Sequence, residues 1–300
     1  MSLGPRDGYQ ALRHGAAWID LSARGRITVK GRDRARLLHA IISNEVKKMT
    51  PGSGCYAFLL NPQGRIQADL NLFCFDDHFL IDTEPEVREK VHLHIKRFII
   101  ADQVELEDVS MQIAAIGLEG PGAAAILTTL GAPLPGQDYS HVAWDDAEIA
   151  AATATGQPGV RIFCPAEKAP ALIRQLEAAG AVPATEEEVR LVRIENGRPR
   201  YGEDIRETTL PQETQQMHGV SFTKGCYLGQ EIVERIRAQG RVNKKLTRVV
   251  LPGADVPAPG TKTIVDGADA EITSAVVSPV SGEIVALAYV RTAKSKESHE

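Results

Sequence analysis

The chain has 300 residues and a formal net charge of −5 at pH 7, with 43% hydrophobic and 24% charged residues. This is the composition of an ordinary globular protein, and the length suits two or three lobes around a sizeable core. The negative charge argues against a protein wrapped in nucleic acid, and the lack of an apolar run of about 20 residues argues against a membrane-spanning helix. Because the N-terminus also lacks the apolar core of a signal peptide, we expect a cytoplasmic protein.

The first 120 residues predict an α+β unit. Turn chemistry at Asn61–Gly64 and at Asp76–Asp77 divides one long apolar stretch into three strands. In chain order, periodicity predicts a helix over 9–20, a strand over 24–31, an amphipathic helix over 33–46, three strands within 55–84, a helix over 85–100 and strand character over 104–120.

From residue 120 the pattern partly recurs, which suggests a second, related α+β half. A helix is predicted over 121–130, strands within 140–163 and a helix over 168–180. A further helix begins after Thr185, a favourable N-cap followed by three glutamates, and ends at Asn196–Gly197.

After residue 240 the pattern changes to short β-rich runs punctuated by glycine and proline. This predicts a small all-β domain with the form of a barrel. We therefore expect an α+β region of two lobes over 1–240 and a C-terminal β-barrel over 241–300. The last residues, TAKSKESHE, are polar, and we expect them to be frayed.

The four cysteines are Cys55, Cys74, Cys164 and Cys226, and they form no CxxC pair. Their wide spacing argues against a disulfide framework and against a local metal or cluster site. We expect no bound metal.

The segment FTKGCYLGQEIVERIR, residues 222–237, is the strongest candidate for chemistry. Cys226 follows Lys224 and precedes a helix that we expect to begin near Gly229, and both neighbours favour a thiolate. A small buried thiol that only packs is the alternative, and spacing alone favours it.

The region 224–248 is basic within an acidic chain. It is a candidate site for a polycarboxylate tail, a phosphate or RNA. The alternative is a solvated helix face with an i, i+4 pair such as Glu231–Arg235. Without interleaved aromatic residues, we expect a small anion rather than stable nucleic-acid binding.

Three stretches of the sequence resemble a known family. The octapeptide KGCYLGQE resembles the signature of the YgfZ family of folate-binding proteins, in the superfamily of the glycine-cleavage T protein, an aminomethyltransferase. The stretches RIENGRPRYGEDI and PGSGCYAFLLNPQGRIQADLNLF are similar to further superfamily patterns, and the similarity covers about residues 8–291. The resemblance implies an α+β fold of three lobes in a ring around a central tetrahydrofolate cavity, with a C-terminal β-barrel.

The resemblance also implies roles for individual residues. Glu195 matches the glutamate that hydrogen-bonds the pterin, and Asp69 matches a carboxylate beside the reactive folate nitrogens. Asp69 alternates with a buried face of its predicted strand, so it faces either a cavity or solvent. The first aspartate of the superfamily's Asp pair is Ala68 here, and Arg65 replaces a glycine, which argues against transferase activity.

The basic residues near the octapeptide are the predicted anchors of the folate tail. Lys224, Arg235 and Arg237 offer charge, and the two arginines also offer bidentate geometry. Cys226 and Asp69 are the predicted catalytic residues.

Three functions remain open at this point. The first is a tetrahydrofolate-binding factor that supports iron–sulfur cluster assembly or repair in client enzymes, including tRNA-modifying radical enzymes, with Cys226 in transient cluster or sulfur handling. Its partners are folate and iron–sulfur client or assembly proteins. The second is an aminomethyltransferase that passes a one-carbon unit to tetrahydrofolate. The third is an RNA-binding module that uses 224–248.

Overall fold

The computed structural model of the protein describes residues 7–292. Within that range its α-helices are α1 (Asp7–His14), α2 (Arg34–Ile41), α3 (Arg88–Arg97), α4 (Ala123–Thr129), α5 (Ala169–Ala178), α6 (Glu186–Glu195), α7 (Pro211–Thr214) and α8 (Gln230–Gln239).

The strands form three sheets. Their bounds are β1 (Ala17–Asp20), β2 (Gly25–Lys30), β3 (Gly54–Leu60), β4 (Ile66–Cys74), β5 (His78–Thr83), β6 (Glu105–Asp108), β7 (Ile113–Glu119), β8 (His141–Trp144), β9 (Ala147–Ala150), β10 (Gly159–Pro165), β11 (Val182–Pro183), β12 (Lys244–Leu251), β13 (Lys262–Val265), β14 (Ala268–Val277) and β15 (Ile284–Arg291).

The first sheet is antiparallel, in the order β3-β4-β5-β2-β6. Strands β3, β4 and β5 are the three strands predicted within 55–84, with both turns where the sequence indicates them. Leu38 of α2 and Val91 of α3 are fully buried in the core on one face of this sheet. The alternation of β4 puts Ile66, Ala68 and Leu70 into that core. Ile66, Ala68 and Leu70 are therefore core residues, and Asp69 points to the opposite face of the sheet.

The second sheet has the order β11-β1-β7-β10-β9-β8, with only the β1–β11 pair parallel. Helices α4 and α5 cover it through Leu127 and Leu176. The helix predicted over 9–20 is wrong in its second half. The observed helix α1 ends at His14, and Ala17–Asp20 forms strand β1. Strand β1 gains its backbone partners from β7 and β11, about 100 residues or more away, and local periodicity carries no sign of such pairing.

Helix α6 connects the N-terminal helix to the C-terminal sheet. Thr185 and Glu188 form a capping box at its start, as the sequence predicts. One side of α6 packs on Tyr9 and Leu12 of α1 through Val192, and Ile194 packs on the C-terminal sheet. Helix α6 is therefore placed to bring side chains to several parts of the molecule.

The C-terminal sheet is antiparallel, in the order β12-β15-β14-β13. The predicted barrel is not confirmed, since among residues 7–292 no pairing joins the outer strands β12 and β13 to close the sheet. Short strands with glycine and proline turns indicate antiparallel pairing, but closure depends on contacts between strands distant in sequence. Residues 293–300, most of the polar tail, lie outside the described residues.

Candidate active site

Two adjoining cavities lie between the first sheet, the second sheet and the segment that follows α6. The Asp69 cavity has a volume of about 440 Å³ and is lined by β1, β4, α6 and residues 198–200. The Tyr139 cavity has a volume of about 540 Å³ and is lined by residues from both halves of the chain. Tyr56, Thr153 and Arg198 line both, so the two cavities share a wall. Both volumes fall within the range of small-molecule sites.

Asp69 lies on β4 with its carboxylate in the cavity that bears its name. The hydroxyl of Tyr56, on the neighbouring strand β3, donates a hydrogen bond of 2.8 Å to Asp69 Oδ2. Burial raises the pKa of Asp69 to about 6, and the negative charge of Glu84 adds to this, while Arg24 opposes it. Such a carboxylate exchanges a proton close to neutral pH, which suits acid–base work on a bound ligand.

Ala68 lies on the opposite face of β4 and is fully buried in the core of the first sheet. A carboxylate at this position would point away from the cavity. The replacement at 68 therefore takes no acidic group from the Asp69 cavity, and this corrects the argument that it weighs against transferase activity.

A buried ion network forms one wall of the Asp69 cavity. Asp82, fully buried, accepts a hydrogen bond of 2.9 Å from Asn71 and ion-pairs with Arg24 at 2.9 Å and with Arg161. Burial alone would raise the pKa of Asp82, but the two guanidinium groups hold it below its ordinary value. Sequence reasoning missed this network because its members come from β4, β5, β10 and the turn before β2.

Glu195 is not among the residues that line either cavity. Its carboxylate accepts hydrogen bonds from Tyr9 at 3.0 Å and Ser278 at 2.6 Å, and Arg13 lies 3.5 Å away. Glu195 lies on the same face of α6 as Glu188, whose carboxylate accepts a hydrogen bond from the backbone N–H of Tyr9. The α6 residues that line the Asp69 cavity are on another face of the helix. The structure gives Glu195 a role in joining α1, α6 and the C-terminal sheet, and a pterin contact stays a prediction.

Lys224 is buried, with its ammonium against the C-terminal end of α2. It donates hydrogen bonds to the carbonyls of His39, Ile42 and Asn44 at 2.6, 2.7 and 2.7 Å. Burial lowers the pKa of Lys224 to about 8, with Glu45 opposing the shift. An ammonium has three donors, and all three are used, so Lys224 has none left for a folate carboxylate.

Arg235 and Arg237 lie on the exposed side of α8 and line neither cavity. Arg235 pairs with Glu231 at 3.0 Å, and Arg237 pairs with Glu234 at 3.4 Å. This is the arrangement of a solvated helix face, which was the alternative interpretation of the basic region.

Cys226 is exposed, on the loop that leads into α8, and it lines neither cavity. Gly229 ends this loop as the N-cap of α8, with φ of +84°, and a Cβ there would lie 2.6 Å from the Asn61 carbonyl. The helix thus begins where the sequence predicts. The interpretation of Cys226 as a buried packing thiol is wrong, because the residue is exposed.

Within residues 7–292, no group of three or more histidine, cysteine, aspartate or glutamate side chains is arranged to hold a metal ion. No helix in the same range has both the length and the apolar character that crossing a membrane requires.

Comparisons with known proteins agree on one family. Residues 4–224 match the family described as the GCVT N-terminal domain. The chain is 29% identical to the aminomethyltransferase of Rubrobacter xylanophilus over 96% of this chain and 79% of that protein. It is 28% identical to the aminomethyltransferase of a Nostoc species, over 96% of this chain and 80% of that protein.

A solved structure shares the fold. The glycine cleavage system aminomethyltransferase T from Bartonella henselae superposes with a TM-score of 0.85 at 20% identity, over 95% of this chain and 80% of that one. At this identity the likeness concerns the fold alone.

Proposed function

The chain belongs to the family of the GCVT N-terminal domain, and on that premise we propose that it binds tetrahydrofolate in the Asp69 cavity and transfers a one-carbon unit as aminomethyltransferases do. The relatives named above carry that description. The proposal includes a ring-like arrangement of the lobes around the folate.

The half-buried carboxylate of Asp69, inside the cavity, is the observation that carries this proposal. Its pKa, raised to about 6 by burial, leaves it mostly ionised at pH 7 yet basic enough to take a proton. The hydroxyl of Tyr56 bonds one of its oxygens and so orients the group. An ionised carboxylate in this position accepts an N–H of the reacting amine and stabilises positive charge that develops there.

Asp69→Asn tests the assigned role. The substitution keeps the size of the side chain and removes the base, so we expect ammonia release from an aminomethylated carrier protein and tetrahydrofolate to fall about 10²- to 10⁴-fold. Tetrahydrofolate affinity, measured by anaerobic calorimetry, should change far less. Asp255→Asn, at an exposed loop position, is the matched control and should behave as the wild type.

The outcomes separate the two parts of the proposal. Wild-type protein that binds tetrahydrofolate but releases no ammonia would rule out the transfer and leave the binding. Wild-type protein that does not bind tetrahydrofolate would rule out both.

One observation favours a second candidate function. The exposed thiol of Cys226 lies outside both cavities, where a protein partner can reach it. Together with the octapeptide KGCYLGQE, this supports a tetrahydrofolate-dependent, YgfZ-type factor that assists iron–sulfur clusters in client enzymes, including tRNA-modifying radical enzymes. A single thiol without neighbouring ligands suits transient handling of sulfur or a cluster rather than stable binding.

Complementation tests this second candidate. In cells that lack the native protein, Cys226→Ser should lose support of a cluster-dependent tRNA-modifying enzyme, whereas Thr223→Ala, at an exposed position in the same loop, should keep it. Full support by Cys226→Ser would exclude a role for the thiol.

A further inference from the structure

Lys224 of the octapeptide KGCYLGQE is connected to strand β3 through Asn44. The ammonium of Lys224 donates a hydrogen bond of 2.7 Å to the Asn44 carbonyl. The side-chain amide of Asn44 donates in turn to the carbonyls of Tyr56 at 2.8 Å and His218 at 2.9 Å. An amide has two N–H donors, so both are used. Asn44 therefore joins the chain just after α2 to β3 and to the segment that precedes the octapeptide.

Ser43, next to Asn44, makes a second connection between the same elements. Ser43 is fully buried, and its hydroxyl accepts a hydrogen bond of 2.8 Å from the backbone N–H of Phe58 and donates one of 2.5 Å to the carbonyl of Gly219. Gly219 lies so close to Tyr56 that a Cβ there would lie 2.8 Å from a ring carbon. The position of the Tyr56 ring is thus set by contacts from two neighbouring segments as well as by its own strand.

The Tyr56 hydroxyl is the group that this arrangement presents to Asp69, as a donor 2.8 Å from Oδ2. Burial, and then the negative charge of Glu84, raise the pKa of Asp69. Arg24 and the Tyr56 hydroxyl oppose them, because each stabilises the ionised carboxylate. Tyr201, whose own pKa burial raises, lies near Asp69 as a neutral phenol. Tyr56 is therefore one of the groups that set the proton affinity of Asp69.

We propose that Lys224 and Asn44 are positioning residues, which act through the backbone of Tyr56 to hold its hydroxyl on the carboxylate of Asp69. This inference rests on the proposed function, since only a base at Asp69 gives the positioning a catalytic use. We call Lys224, Asn44 and Tyr56 the positioning chain. Lys224 lines neither cavity, so its effect on the site passes through its neighbours.

A purely structural role for Lys224 and Asn44 is the alternative. In that case their loss would lower the free energy of unfolding and leave the folded site unchanged. The two roles differ in the protonation of Asp69 in the folded protein. Carbon-13 NMR of labelled aspartate carboxyl groups follows this protonation without folate or carrier protein, and Asp69→Asn identifies the signal by its disappearance.

The midpoint of Asp69 protonation should rise in each variant of the positioning chain. In the wild type it should lie at about pH 6. Tyr56→Phe should raise it by about 1 to 2 pH units, the shift expected for loss of a hydrogen bond to a charged group. Asn44→Ala and Lys224→Gln should raise it by less, because the pairing of β3 with β4 still restrains Tyr56. Asn243→Ala, at an exposed position, is the matched control and should keep the wild-type midpoint.

A double substitution tests whether the residues act in one chain. Once Tyr56→Phe has removed the hydroxyl, Asn44→Ala should have no further effect on the Asp69 midpoint. Effects that simply add would overturn the inference, as would a wild-type midpoint in Asn44→Ala or in folded Lys224→Gln. Lys224→Gln keeps two donors for the three carbonyls, and if it does not fold, Asn44→Ala and the double variant decide.

The pH profile of ammonia release separates this inference from the proposed function. The acid limb of kcat should move to higher pH in Asn44→Ala by as much as the NMR midpoint does. The expected midpoints, without ammonia release by the wild type, would sink the proposed function while the hold of the positioning chain on Asp69 stands. Ammonia release by the wild type, with an unchanged midpoint in Asn44→Ala, would do the reverse.

Discussion

The Asp69 cavity and the segment 222–237 hold their ionisable groups under opposite conditions. In the cavity, Asp69 is half-buried and Asp82 is fully buried, and their pKa values move in opposite directions because only Asp82 has guanidinium groups bonded to it. In the segment, Cys226 and Arg235 face solvent, whereas Lys224 is buried. The pKa of an ionisable group therefore depends on how far several elements of the fold bury it and on the charges bonded to it, and a dense sequence motif does not guarantee such burial.

Substitution of Lys224 should have the largest effect on stability, because this residue is the contribution of the segment 222–237 to the fold. Lys224→Met leaves three buried carbonyls without their donor, so we expect the free energy of unfolding to fall by about 3–5 kcal/mol. Urea denaturation measures this. Lys245→Met, at an exposed position of β12, is the matched control and should stay within about 0.5 kcal/mol of the wild type. A similar small change for Lys224→Met would mean that the three bonds are not made.

The effect of Asp69→Asn on the free energy of unfolding should depend on pH. Since the folded-state pKa of about 6 is above the ordinary 3.8, Asp69 contributes stability below pH 4 that is lost as the pH rises through 6. The variant lacks this loss, so relative to the wild type it should gain up to about 3 kcal/mol by pH 8 and nothing near pH 3. Urea denaturation across this range gives the curve, and a difference independent of pH would contradict a raised pKa.

Arg235→Ala tests the solvated face of α8. Its pair with Glu231 is exposed, and i, i+4 pairs of this kind contribute about 0.3–0.5 kcal/mol. We expect a loss of that size in low salt, measured by thermal unfolding, and a smaller one at 1 M salt. A loss above about 1 kcal/mol would indicate a contact other than this pair.

Cys226→Ser should have the smallest effect on stability. The thiol is exposed, and exchange of sulfur for oxygen there leaves the core untouched, so the unfolding free energy should stay within about 0.5 kcal/mol. Thermal unfolding under reducing conditions measures it. A larger loss would show that the thiol packs after all, and would weaken any assignment of chemistry to it.

The sequence alone predicts the features that short-range patterns encode. It predicted the three strands of 55–84, the cap at Thr185, the beginning of α8 near Gly229 and the strand alternation that separates Asp69 from Ala68. Each depends on neighbours within a few residues, through turn chemistry, capping or the two-residue period of a strand.

The tertiary structure, by contrast, sets the strand pairing and the positions of the charged groups. It turned residues 17–20 into a strand, left the C-terminal sheet open, buried Lys224 at the end of α2 and pointed Glu195 at Tyr9. It also gave five cavity arginines carboxylate partners and left Arg198 without one among the described residues. The physical reason is common to all of these. Strand pairing, ion pairing and burial are set by partners far away in the chain, and no local pattern names those partners.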